Sequence, residues 1–439
     1  MPPSSKMALT SKLVRHVEDN GFVRYVVSCQ YHGSSYLGFS YQGPQNENCI
    51  LPDGTDLKGY RSVEGSIRSA LTKFLGGDET HFENIQVSSR TDRGSFFWWS
   101  NVSNIDNLDA NFKFDADSCG SCFLRILLLF LLPLGVHALK NTFHVDILKD
   151  FIVRSRHSSD SDNNHQAHKN DFASRLKKGI NYYLARQSLY DETSGTDDKS
   201  SSSSLAFTRN STLRILNAAL APEFMTNQFY QDYPEQPPVI DWNARFSATQ
   251  RTYIYRILFL PGDQEWGIPF ECDRAWSVRL NYHNNQQQQQ QQVDVAAMQQ
   301  AASMLQGTHD VSSFRAAHCQ RSSPIVTMNE VSVSARPYGD FSTLYAGFGD
   351  ALLNGRTLSS SLLPSQASAM LVTVKVVGES FVYRQVRNMV GCLVEVGRGK
   401  LRPSQVQDIL DAKDRSTAPC TAPAHGLFLV DVQHGDFHI

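Results

Sequence analysis

The chain predicts an α+β fold, with helices packed on one side of an antiparallel sheet in a unit built twice. Strand-like and helix-like segments follow one another near the start, and a similar mix recurs in the second half. The 439 residues are enough for two or three domains at about 150 residues each, and a 41% hydrophobic content supports a sizeable core.

Val23 to Tyr31 alternates as a strand does. Ser62 to Leu75 then sets Val63, Ile67, Ala70, Leu71 and Phe74 on one helical face. Ile85 to Val87 reads as a strand end. Thr252 to Phe259 and Ala369 to Val376 are rich in β-branched and aromatic residues, so both predict strands. Ala296 to Leu305 and Phe381 to Val396 are patterned as amphipathic helices. Three stretches lack the apolar content to join a core and read as disordered loops: His157 to Asn170, Asp191 to Ser204, and Asn284 to Gln292 with its seven glutamines.

Charge and cysteine content exclude several classes. Forty-one Lys+Arg against 43 Asp+Glu give a formal charge of −2, so contact with a polyanion must be a local patch. Eight cysteines are too sparse for a disulfide-framed scaffold, which points to a reducing compartment. Residues Met1 to Val17 carry Lys6, Lys12 and Arg15 without an acid, as a disordered tail or a weak transit segment would. Cytoplasmic, nuclear and mitochondrial locations all stay open. The longest apolar run, Ile126 to Leu134, is nine residues with a proline inside, short of the roughly 20 that cross a bilayer.

The sharpest local signal is Ser88-Ser89-Arg90-Thr91-Asp92-Arg93-Gly94, a polar turn after a strand. An aspartate between two arginines is a candidate nucleophile, since guanidinium charge favours the carboxylate form. The same pattern suits a turn aspartate capping backbone N–H groups.

Other segments carry a resemblance. Tyr31-His32-Gly33-Ser34-Ser35-Tyr36-Leu37-Gly38-Phe39, Arg90-Thr91-Asp92 and Ala244-Arg245-Phe246-Ser247-Ala248-Thr249-Gln250-Arg251-Thr252-Tyr253-Ile254-Tyr255 appear in order. They are followed by Ser313-Phe314-Arg315 with Cys319 and Pro324, then by Ser380 to Gly391 (SFVYRQVRNMVG) and Ala422 to Leu427 (APAHGL). Together they resemble the TruA family of tRNA pseudouridine synthases.

The resemblance implies two α/β subdomains, residues 22–240 and 241–436, with antiparallel sheets joined across a central catalytic cleft. It implies isomerisation of uridine to pseudouridine in tRNA, in or near the anticodon stem-loop at tRNA positions 38 to 40. No cofactor or metal, a homodimer and no membrane are expected. Carried over by position, Asp92 is the catalytic aspartate, Arg90 fills the space left by a flipped base, Tyr253 stacks on the target uracil and Arg387 pairs with Asp92. Arg93, Arg251, Arg384, Arg398 and Lys400, with Arg402, are the RNA-contacting cations that a phosphate backbone needs. Tyr253 also fits an ordinary core tyrosine, and Arg387 an ordinary ion pair.

Three departures stand out. His32 replaces the family's usual aspartate, and Arg93 its usual small residue. Between Gly94 and Val136 lie 41 residues, Ser95 to Gly135, and removing them restores an uninterrupted family pattern (RTDRGVHALKNTFHVDI). The insertion joins Phe96, Phe97, Trp98 and Trp99 to an Asn/Asp-rich stretch and a Leu/Phe run without helical or strand periodicity. It reads as a retained intron, with codons at its two ends that admit splice donor and acceptor dinucleotides; the competing reading is a genuine lid or partner-binding hairpin. Cys119 and Cys122 within it have no second ligand pair at suitable spacing, so neither a zinc site nor a thioredoxin-like motif is expected. An impaired tRNA-binding protein is the alternative if the insertion displaces Asp92.

Overall fold

Alternating apolar residues between Phe22 and Gln433 build ten strands into one sheet that both halves of the chain share. The computed structural model describes residues 21–36, 38–40, 62–91, 135–154, 165–186, 212–222, 241–260, 271–280, 292–317, 319–338, 369–435 and 437–439. The readings on Met1 to Val17, Asp92, Arg93, the insertion up to Leu134 with its two cysteines, 155–164, 187–211 and the glutamine tract to residue 291 lie outside the described residues.

The strands are β1 (Phe22–Tyr31), β2 (Phe82–Val87), β3 (His137–Leu148), β4 (Leu213–Leu220), β5 (Gln250–Leu260), β6 (Trp276–Arg279), β7 (Gly307–Asp310), β8 (Ile325–Pro337), β9 (Met370–Gly378) and β10 (Leu427–Gln433). Their order is β4-β1-β3-β10-β5-β9-β8-β7, with β2 also on β3 and β6 also on β5. The last strand returns to the middle. It runs antiparallel to β5 from Leu427↔Tyr255 to Gln433↔Gln250, and parallel to β3 through Phe428↔His137 and Leu429↔Ala138. Apart from that junction and the β5–β6 pair, the pairings are antiparallel.

Six helices among the described residues cover the sheet: α1 (Val63–Phe74), α2 (Lys149–Arg154), α3 (His165–Leu184), α4 (Val295–Met304), α5 (Gln385–Gly397) and α6 (Pro403–Ala412). In α1 the Ser62 hydroxyl caps the N-terminus by accepting from Gly65 N at 3.0 Å, and Val63, Ile67, Ala70 and Leu71 are buried as their spacing predicts. Helix α3 corrects the loop expected over His157 to Asn170, whose last six residues open the helix. Phe172, Leu176, Ile180 and Leu184 recur every fourth residue and are buried against α1 and β4, a stripe that the polar flanks masked. Gly179 of α3 lets Phe74 approach so closely that a Cβ there would collide with the ring.

Helix α5 starts later than the periodicity predicts. Arg384 takes a left-handed conformation (φ 59°, ψ 14°) as N-cap, so Phe381 to Arg384 form a turn ahead of the helix. The Gln385 Oε1 accepts from Val382 N at 3.0 Å and closes that turn. Nearly the whole of α5 is buried. Gly391 lets it reach the Cys420 carbonyl at a distance no Cβ would allow.

At the far end of β3, one ion pair ties three strands together. Arg24 of β1 donates to Asp146 of β3 twice, Nε to Oδ1 at 2.6 Å and Nη2 to Oδ2 at 2.7 Å, and its Nη1 donates to Trp242 O at 2.6 Å. Asn84 of β2 adds Nδ2 to Asp146 Oδ2 at 2.9 Å. Among the described residues, no helix is long and apolar enough to cross a membrane.

Candidate active site

The strand β2 ends at Val87, and the polar turn begins with its backbone still tied to β3, Ser88 N donating to Thr142 O at 2.8 Å. Three of the next four residues are then held through side chains. Ser88 O accepts from Arg251 Nη2 at 3.0 Å, and Ser89 Oγ meets the Tyr253 hydroxyl of β5 at 2.7 Å. Asn141 Nδ2 donates to Ser89 O at 2.8 Å and to the Tyr31 hydroxyl at 3.2 Å. Thr91 Oγ1 lies 2.8 Å from that same hydroxyl. Burial raises the Tyr31 phenol above its ordinary range, so it stays neutral as a hydrogen-bond partner. Of the described residues of this turn, Ser88 to Thr91, only Arg90 is exposed, and Asp92 follows directly on Thr91 in the sequence.

Tyr253 therefore spans the two halves. Its ring is 8% exposed and meets Phe381 edge-on, with centroids 5.2 Å apart at 88°. Arg251, two residues earlier on β5, also donates to Ala248 O at 2.9 Å, Glu379 O at 2.5 Å and Arg245 O at 3.4 Å. Burial lowers its pKa, and the charges of Arg245 and Arg321 push the same way. Arg245, lowered first by burial, feels Arg90. Arg321 donates to Ser380 Oγ at 2.6 Å, next to the Glu379 carbonyl that Arg251 uses. Among the described residues none of these four arginines is ion-paired, each donating to neutral oxygens where it donates at all. Four cations without a carboxylate partner among the described residues thus gather beside one turn, a local positive field of the kind that favours an anion.

Arg387 sits on α5, 2% exposed, with Nε donating to Ala422 O at 2.7 Å. Arg384 lies one turn earlier with its guanidinium 5.0 Å from the Tyr383 ring centroid, and Tyr383 is exposed. Arg398 and Lys400 are not part of this group. They close the other end of α5, about 20 Å along the helix from Arg384, and both bind Glu395, at 3.1 Å and 3.2 Å. Arg402 is the N-cap of α6.

The described residues that flank residues 92–134, Thr91 before them and Gly135 and Val136 after them, all lie by the end of β1. Thr91 bonds Tyr31, while Gly135 and Val136 press on Gly33, where a Cβ would collide with the Val136 carbonyl. Gly33 N donates to His137 Nδ1 at 3.0 Å. Tyr31 and Gly33 are two residues apart, so Asp92, Arg93 and Gly94, which can span about 13 Å, are long enough to bridge Thr91 to Val136.

Sequence reasoning missed the residues that fix the turn, Asn141 and Thr142 of β3 and His434 after β10. Asn141 and Thr142 fall inside the family pattern that resumes at Val136, and with the in-register β2–β3 pairing, Val87↔Phe143, that pattern could have pointed to them; His434 belongs to no short motif.

A ten-stranded sheet shared by the two halves of the chain and covered by six described helices fits the pseudouridine synthase fold. The family model described as tRNA pseudouridine synthase matches residues 301–434. A tRNA pseudouridine synthase A of Ruegeria sp. is 33% identical over 415 residues, 94% of this chain and 96% of that protein. The tRNA pseudouridine synthases A of Ehrlichia canis and Rhizorhabdus wittichii are 33% and 31% identical over 44% and 45% of the chain. The chain spans 60% and 59% of the length of those two relatives. It belongs to the tRNA pseudouridine synthase A (TruA) family.

Proposed function

We propose that the protein isomerises uridine to pseudouridine in tRNA, with Asp92 as nucleophile and a target in or near the anticodon stem-loop. The observation that carries this reading is the 2.7 Å bond between Ser89 Oγ and the Tyr253 hydroxyl, which sets the aspartate turn against a β5 aromatic from the other half.

The reaction breaks the bond from uracil N1 to ribose C1′ and forms one from C5 to C1′. N1 gains a proton and C5 loses one, so the product is an isomer and the balance needs no redox partner. An aspartate can hold one fragment covalently while the ring turns. A stacked uridine has to be extruded first, and Arg90, exposed on the turn, is placed to fill the gap. Arg245, Arg251 and Arg321 supply uncompensated charge for the phosphates beside it. Arg398 and Lys400, already paired with Glu395, supply less. The working form is a homodimer.

The proposal is tested with tRNA carrying tritium at uridine C5, using the full chain and a variant lacking Ser95 to Gly135. Tritium release, with carbodiimide-dependent primer stops at tRNA positions 38 to 40, is the expected result. Because Thr91 and Val136, on either side of the insertion, lie against Tyr31 and Gly33, two residues apart, the shortened chain is expected to fold and to release tritium at least as fast. Tight tRNA binding by both chains without release would instead favour the tRNA-binding alternative.

A further inference from the structure

Four polar side chains from four separate segments meet in the sheet's interior: Ser88 after β2, Thr142 on β3, Ser247 before β5 and His434 after β10, none more than 4% exposed. They form one continuous chain of hydrogen bonds. Ser247 Oγ is 2.8 Å from His434 Nδ1, His434 Nε2 is 2.6 Å from Thr142 Oγ1, and Thr142 Oγ1 is 2.5 Å from Ser88 Oγ. A longer contact of 3.4 Å joins His434 Nε2 to Ser88 Oγ directly. Trp242 lies against the imidazole with centroids 5.3 Å apart.

We propose that His434 is a positioning residue for the aspartate turn, acting through Thr142 and Ser88 to couple the end of the chain to the site of reaction. The inference rests on the tRNA pseudouridine synthase reading. Burial holds the imidazole pKa down at about 4, so the ring is neutral near pH 7, with one nitrogen donating and the other accepting. The hydroxyls of Ser247 and Thr142 each donate or accept as the imidazole tautomer requires, so both ring nitrogens are satisfied whichever one carries the proton. Ser88 is then restrained at its hydroxyl, at its N–H by Thr142 O and at its carbonyl by Arg251. Four residues later comes Asp92. A buried network of this kind is unforgiving, because losing one member strands the others. A nucleophile has to be held to about half an ångström.

The test compares Thr142→Val, which keeps the shape and removes the hydroxyl, with Thr142→Ser, which restores it, alongside Ser247→Ala at the other end of the relay. Tritium release, the KM for tRNA, the Tm and hydrogen exchange of a peptide covering residues 86–91 are read for each. Thr142→Val is expected to lower kcat at least tenfold with KM within twofold, and to speed exchange of that peptide at least tenfold, with Thr142→Ser near wild type. The double variant with His434→Phe is expected to lose no more kcat than the worse single one. A Thr142→Val or Ser247→Ala protein with a lowered Tm but unchanged kcat and unchanged exchange in that peptide overturns the proposal. If the wild-type protein releases no tritium while the exchange changes as expected, the positioning role stands and the tRNA reading fails.

Discussion

The two ends of β3 are tied down in opposite ways. At the far end, Asp146 is matched by Arg24, so charge is neutralised inside the fold. At the near end, Asn141 and Thr142 hold the aspartate turn with neutral hydrogen bonds, and the arginines beside it have no described carboxylate. The difference separates a guanidinium neutralised by a carboxylate from guanidinium groups that brace the turn, or stand beside it, without a carboxylate among the described residues. Arg24 has met its anion, whereas among the described residues Arg90, Arg245, Arg251 and Arg321 have not.

The comparison breaks first at its far end. Asp146→Ala leaves the half-buried Arg24 without its partner and is expected to cost about 3 kcal/mol of stability, measured by urea unfolding. The fraction that stays folded is expected to keep wild-type kcat. A stable Asp146→Ala protein with depressed kcat would mean that the two ends do not have separate jobs.

A more gradual effect, spread over pH, sharpens the near end. His434 and His137 are both lowered to about 4, mainly by burial. In the unfolded chain a histidine takes up its proton near pH 6.5, while these two stay neutral in the fold until about pH 4. Between those values the unfolded state binds more protons, so stability rises with pH and is lost as the pH falls through the window. Each histidine contributes up to about 1.4 kcal/mol per pH unit. Urea midpoints between pH 7 and 4.5 are expected to fall steadily, and His434→Gln is expected to flatten the slope. A flat profile in the parent protein would contradict the burial of these rings.

Much of this was legible in the sequence where a local pattern decides the outcome. The α1 face from Val63 to Leu71, the strand from Val23 to Tyr31 and the aspartate turn after β2 each follow from spacing within one element. Helix α3 escaped because its four-residue stripe is embedded in polar sequence. The late start of α5 escaped because periodicity carries no information on the left-handed Arg384. Grouping Arg384 with Arg398 and Lys400 treated nearness in sequence as nearness in space, and a buried helix separates them. Contacts between β3, β5 and the residue after β10 depend on sheet order, and no single segment encodes that.

The central claim is that the carboxylate following Thr91 performs the chemistry. Asp92→Asn keeps its size and removes its charge, and tritium release from uridine C5 reads the result directly. The account predicts a loss of roughly a thousandfold or more, about 4 kcal/mol in the barrier, at unchanged Tm and tRNA affinity. Release within tenfold of wild type from a folded Asp92→Asn protein would contradict it.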